Sequence, residues 1–75
     1  MSASHLSKLY KEKYGVSISY EITHTRLKNA KRLLQNTDIN INEVAIRSGF
    51  SNSSVLIRTF KKWEGITPGR YRELL

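Results

Sequence analysis

Ile41-Asn42-Glu43-Val44-Ala45-Ile46-Arg47-Ser48-Gly49-Phe50 is the stretch on which the fold turns. Ile41, Val44 and Ala45 recur at helical spacing and make a narrow apolar stripe. Asn40 stands where an N-cap belongs, and Glu43 follows three residues later, the pattern of a capping box. Ala45 leaves room for a close neighbour. Gly49 takes the positive φ of a sharp turn without a Cβ clash, and Phe50 is placed to plug the corner. Ser51 is expected to cap the following helix, about Asn52–Glu64. A short helix, a glycine turn and a second helix together read as a helix-turn-helix.

Outward from this unit the punctuation continues. Gly65 ends the second helix. Thr67 as cap and Pro68 at the first helical position then open a short helix that is expected to carry Tyr71 and Leu74 inward. On the other side, Asn36-Thr37-Asp38 is a polar interruption. Before it a long helix is predicted over Ser19–Gln35, with Ile22, Leu27, Ala30, Leu33 and Leu34 along one side and Arg26, Lys28, Lys31 and Arg32 over much of the rest. Gly15 separates it from a first helix, Ser2–Tyr14, with Ser2 as cap. The reading is all-α, five helices and no strand in one domain over 1–75. It divides into 1–18, a joining helix at 19–36, a helix-turn-helix at 40–64 and a C-terminal helix at 67–75.

The first predicted helix repeats the fourth. Fifty residues apart, Ser4 falls on Ser54, Leu6 on Leu56, Lys8 on Arg58, Tyr10 on Phe60 and Lys11 on Lys61, and then Gly15 on Gly65, Val16 on Ile66 and Ser17 on Thr67. The chain uses one type of helix twice. In the second copy Leu56, Thr59, Phe60 and Trp63 lie at i, i+3, i+4 and i+7, a core stripe. Ser54, Ile57, Arg58 and Lys61 form a second row rotated away from it. In the first copy Ser4, Ser7, Lys8 and Lys11 hold the outer row. Hydroxyls near a helix start, with cations further along, suit a DNA major groove, which admits an α-helix and exposes its N-terminal half to base edges; taken alone, the same row reads equally as the solvated face of an ordinary amphipathic helix.

Composition supports a polyanionic partner. Thirteen Lys and Arg stand against six Asp and Glu, a formal net charge of +7 on 75 residues. A chain of this size buries only about 60% of its unfolded surface, and with no cysteine it has no disulfide or thiolate metal site to add to the core. The apolar runs, such as Val44-Ala45-Ile46, fall far short of the ~20 residues that span a bilayer. The start, Met1-Ser2-Ala3-Ser4-His5, lacks the pattern of a signal peptide, so the expected location is cytoplasmic and no membrane is expected as partner. His5 and His24 are far apart and no carboxylate is spaced to pair with either. No phosphate loop is present. Neither an enzyme nor a cofactor or metal is expected.

These residues in this order resemble the C-terminal DNA-binding domain of the AraC/XylS family of bacterial regulators. The resemblance is carried by Arg26-Leu27, Ala30, Leu33-Leu34, Ile41 to Ala45, Gly49-Phe50-Ser51, Arg58, Phe60-Lys61, Gly65-Ile66-Thr67-Pro68 and Tyr71-Arg72. It implies two helix-turn-helix units joined by the helix at Ser19–Gln35, acting in a transcription regulator, with activation the commoner role. It implies that Ser4, Ser7 and Lys8 face double-stranded DNA in the first unit, and Ser53, Ser54, Ile57 and Arg58 in the second. Lys11 and Lys61 would touch phosphate, and Ser51 and Asn52 would offer donors to phosphate at a helix start. Two departures stand out. The helix that precedes the first recognition helix in that family is missing, which makes an uncovered, self-associating patch at Leu6, Leu9 and Tyr10 the expectation. The aromatic spacing after Gly15 is also altered, at Ile18, Tyr20 and Glu21. A joining helix of ~17 residues spans ~26 Å. With its turns it sets the recognition helices roughly ~34 Å apart, one helical turn of DNA.

The rival reading is a basic helical module whose Arg26–Arg32 face binds an acidic protein, such as an RNA polymerase subunit. Alanine substitutions separate the two in a binding titration. Arg58→Ala is expected to impair DNA binding, whereas Lys28→Ala combined with Lys31→Ala is expected to spare DNA and impair only a protein contact.

Overall fold

The computed structural model describes residues 17–75. The predicted helix Ser2–Tyr14, the first copy of the repeat and the patch at Leu6, Leu9 and Tyr10 lie outside the described residues. Within them all regular structure is helical: α1 (Ile18–Asn36), α2 (Ile41–Ser48), α3 (Ser53–Glu64) and α4 (Pro68–Glu73).

Each helix begins at a side-chain cap. Ser17 Oγ accepts the Tyr20 N–H at 3.0 Å, so α1 starts one residue before the expected Ser19. Asn40 Oδ1 accepts the Glu43 N–H at 2.8 Å, and Thr67 Oγ1 accepts the Arg70 N–H at 3.2 Å with Pro68 in the first turn. Two expectations are corrected here. The cap of α3 is Asn52, not Ser51. Asn52 has the extended backbone of a cap, and its Oδ1 accepts the Val55 N–H at 3.0 Å. The capping box at α2 is only half formed, because the Glu43 carboxylate accepts from Arg47 Nε at 3.2 Å, one turn along, and not from the Asn40 N–H.

The core is one cluster: Leu27, Ala30 and Leu34 of α1, Val44 and Ala45 of α2, Phe50 in the corner, and Leu56 and Phe60 of α3. Ala30, Val44, Ala45, Leu56 and Phe60 are wholly buried. Burying each of the larger side chains contributes about 1.5–3 kcal/mol. Two residues expected in the stripe lie outside it. Ile22 is 44% exposed, because it stands five residues before Leu27, about 140° around the helix. Leu74 is 64% exposed, one position past the last residue of α4, where the core below has run out. Tyr71 does reach inward, edge-on to Phe60 with ring centroids 5.4 Å apart, and its hydroxyl accepts from Gln35 Nε2 at 2.6 Å.

The turn between α2 and α3 closes as expected from Gly49, whose φ is +101°. The Gly49 N–H donates to Ile46 O at 3.2 Å and the Phe50 N–H to Ala45 O at 2.9 Å. These paired bonds satisfy the last carbonyls of α2 in a Schellman motif. The buried Ser48 hydroxyl donates to Val44 O at 2.6 Å, so it leaves no polar group unpaired in the core. Arg26 lies over the turn, with its Nε 3.1 Å from where a Gly49 Cβ would stand.

Arg72 supplies a link that helical spacing does not reveal. Its guanidinium donates to Ile39 O at 2.6 Å, Thr37 O at 3.2 Å and Leu34 O at 3.5 Å. It thereby satisfies carbonyls where α1 ends and ties α4 across the α1–α2 connection. At the other end, Tyr20 packs against Trp63 with ring centroids 4.9 Å apart, and Lys31 pairs with Glu64. Lys31 is thus half committed to holding α3 on α1.

Gly49→Ala is expected to lower folding stability by about 1–2 kcal/mol, the cost of a left-handed backbone for a residue with a Cβ, with Arg26 pushed aside as well. At Gly65 the φ is +83° but an added Cβ meets open space, so Gly65→Ala carries the backbone cost alone and loses less. Thermal melts followed by circular dichroism check the order. An unchanged Gly49→Ala melting temperature would mean the turn is not under this constraint.

Candidate nucleic-acid interface

The side of α3 opposite Leu56 and Phe60 is set by helix geometry. At 3.6 residues per turn, Ile57, Lys61, Ser54 and Arg58 fall within an arc of about 100°, centred about 130° around the helix from the two buried residues, with Ile57 at its near edge. All four are exposed, and Ser53 is half-buried at the edge of the face. Burial of Leu56 and Phe60 therefore fixes which way Ser54, Ile57, Arg58 and Lys61 project. Lys62, an exposed cation in the last turn, extends the face on one side. Its place in the row beside Arg58 is readable from the same spacing, although it was not among the expected site residues.

The start of α3 is suited to anions. Its first turn carries no acidic residue, whereas those of α1 and α2 carry Glu21 and Glu43. The partial positive charge of the helix terminus is therefore left uncompensated by its own side chains. Ser51 and Asn52 are exposed there. The Asn52 amide oxygen is committed to the Val55 N–H, so only its amide nitrogen remains as an outward donor. The turn that precedes α3 adds the Arg26 guanidinium beside Gly49. Arg26 was expected on the basic face of α1, and its approach to the turn depends on α1–α2 packing that local spacing does not contain.

The nearby carboxylates are neutralised by partners elsewhere. Glu64 pairs with Lys31 and Glu43 with Arg47, and Glu73 pairs with Arg70 on α4. Exposed pairs of this kind contribute little stability, but they leave Arg58 and Lys61 without an acidic partner among the described residues. The structure thus places Ser51, Asn52, Ser53, Ser54, Ile57, Arg58 and Lys61 at the start of α3 and along its outward side. Ser4, Ser7, Lys8 and Lys11 lie outside the described residues. No helix among the described residues is long and apolar enough to cross a membrane.

Comparison with known proteins gives consistent matches. A family model described as a helix-turn-helix domain matches residues 1–74. YtdP, an uncharacterized HTH-type transcriptional regulator of Bacillus subtilis (strain 168), is 40% identical over 70 residues, which are 93% of this chain and 9% of that protein. The chain therefore spans only a small part of the curated relatives it matches. Among solved structures, the C-terminal domain of the two-component response regulator yesN from Fusobacterium nucleatum superposes with a TM-score of 0.89 at 33% identity, over 96% of this chain and 70% of that one. The DNA-binding domain of AdpA, a global transcriptional factor solved in complex with a target DNA, superposes with a TM-score of 0.87 at 28% identity, over 99% of this chain and 67% of that one.

Proposed function

The chain belongs to the AraC-type family of helix-turn-helix domains, and on that premise we propose that it binds double-stranded DNA sequence-specifically within a transcription regulator of the bacterial cytoplasm. The observation that carries this reading is the outward face of α3, where Ser54, Ile57, Arg58 and Lys61 lie exposed in one row outside the buried Leu56 and Phe60. An α-helix of this width fits a major groove. In the proposed mode α3 enters the groove by its N-terminal half. The small Ser53 and Ser54 allow close approach, and Arg58 donates a bidentate pair to the O6 and N7 of a guanine. Lys61 neutralises a phosphate, and Ser51 and Asn52 donate to another at the helix start.

The proposal extends to a first unit within residues 1–18, with Ser4, Ser7 and Lys8 toward base edges and Lys11 toward phosphate. α1 would be the joining helix. Its 19 residues make it about 28 Å long, which sets two recognition helices about one helical turn of DNA apart. AdpA's domain bound to its target DNA supports the reading by its likeness to this chain. Activation of transcription, in the setting of a longer regulator, rests on the family resemblance alone. The rival protein-binding role of the basic α1 face is weakened only in part. Lys31 is engaged by Glu64, whereas Arg26, Lys28 and Arg32 stay exposed.

Selection of bound duplexes from a random library at near-physiological salt tests the proposal. Two short enriched elements about one helical turn apart are expected. On a selected duplex, Lys61→Ala should reduce the slope of log affinity against log salt by about one, with sequence preference retained. Tight binding without any enriched sequence, lost at moderate salt, would reduce the claim to nonspecific attraction.

A further inference from the structure

Ile57 is out of chemical keeping with its surroundings. It is 39% exposed and stands at the edge of the outward row, with Ser54 and Lys61 on one side and Ser53 and the buried Phe60 on the other, the one apolar member of a row that otherwise offers hydroxyls and cations. Lone exposed apolar residues are common on protein surfaces and carry no meaning by themselves. The meaning here comes from position. The other large exposed apolar side chains among the described residues, Tyr20, Ile22, Ile46, Leu74 and Leu75, lie on other elements.

An isoleucine side chain can neither donate nor accept a hydrogen bond. Pressed against guanine N7 and O6, adenine N7 and N6, or cytosine N4, it would strip water from a polar group and return nothing, at substantial cost. The major groove offers one apolar group on a base edge, the C5-methyl of thymine. A β-branched side chain on a helix is also held largely in one rotamer, so little freedom is lost when it docks. Arg58 follows directly in sequence. The two residues point about 100° apart, at the two ends of the outward arc, so they address different parts of the groove.

We propose that Ile57 is a specificity-determining residue that packs on a thymine methyl within the half-site read by α3. The proposal rests on the DNA-binding reading above and adds to it a base identity: that half-site contains a thymine as well as the guanine read by Arg58.

The test uses a duplex selected by the wild-type chain, with each thymine replaced singly by deoxyuridine, a change that deletes only the methyl group. Fluorescence anisotropy gives the affinities. One thymine, in the half-site that holds the guanine whose recognition is lost in Arg58→Ala, should lose about fourfold in affinity on replacement, the size expected from burying one methyl. Ile57→Ala should bind the thymine and uracil duplexes alike, while Ile57→Val keeps most of the discrimination. Both variants should melt close to wild type, since the side chain is outside the core. Sequence-specific binding with no uracil-sensitive thymine in that half-site would overturn this proposal and leave DNA binding standing. Undiminished sensitivity in Ile57→Ala would overturn it as well. Absence of any selected sequence would overturn both readings together.

Discussion

The left-handed backbone at Gly49 is the constraint on which the arrangement depends. It lets α2 stop within a residue and redirects the chain through two satisfied carbonyls, with Phe50 sealed into the corner. Ala45, wholly buried, keeps the facing surface of α2 low, so α3 can lie close. Once that corner is set, Leu56 and Phe60 have only one place to go, and the outward direction of Ser54, Ile57, Arg58 and Lys61 follows from the helical repeat. The interface is thus a consequence of the core and not a separate feature added to it.

The remaining contacts hold this corner in register. Arg72 gathers the carbonyls of Leu34, Thr37 and Ile39 and so fastens α4 to the end of α1, while Tyr71 lies against Phe60 from below. Trp63 and Glu64 at the far end of α3 meet Tyr20 and Lys31 of α1. α3 is therefore pinned along its length before any ligand arrives. A side chain presented from a rigid helix loses less freedom on binding than one on a loop, which favours affinity without new contacts. A small domain has little stability to spare, and this explains why cations that look free in the sequence, Lys31 and Arg72, are spent on internal contacts.

Much of this was legible from the amino acids, and the limits have physical causes. Asn40, Thr67 with Pro68, Gly49 and Gly65 announce helix ends because few residue types meet those backbone demands. The buried stripe of α3 and the opposite row follow from periodicity alone. The choice of Asn52 over Ser51 as cap was not legible, since both side chains can cap and the backbone of the preceding loop decides. Nor was Glu43's preference for Arg47 over the Asn40 N–H, two partners each about one helical turn away. Ile22 was misplaced because an apolar residue five positions from a stripe looks close in sequence and lies far around the helix. The engagement of Arg72 with Leu34, Thr37 and Ile39, and of Lys31 with Glu64, joins residues more than thirty apart, a separation at which spacing carries no information.

The central claim is that the outward face of α3 reads base edges in a major groove. Dimethyl sulfate interference on a selected duplex addresses it directly, because the reagent methylates guanine N7 in the major groove and adenine N3 in the minor groove. The account predicts that methylation at a discrete guanine N7 blocks the wild-type chain, and that Arg58→Ala, at the higher concentrations it needs to bind, is indifferent to that same guanine. Interference confined to adenine N3 would contradict the placement of α3 in the major groove, and a guanine effect that survives in Arg58→Ala would contradict the reading of that base by Arg58.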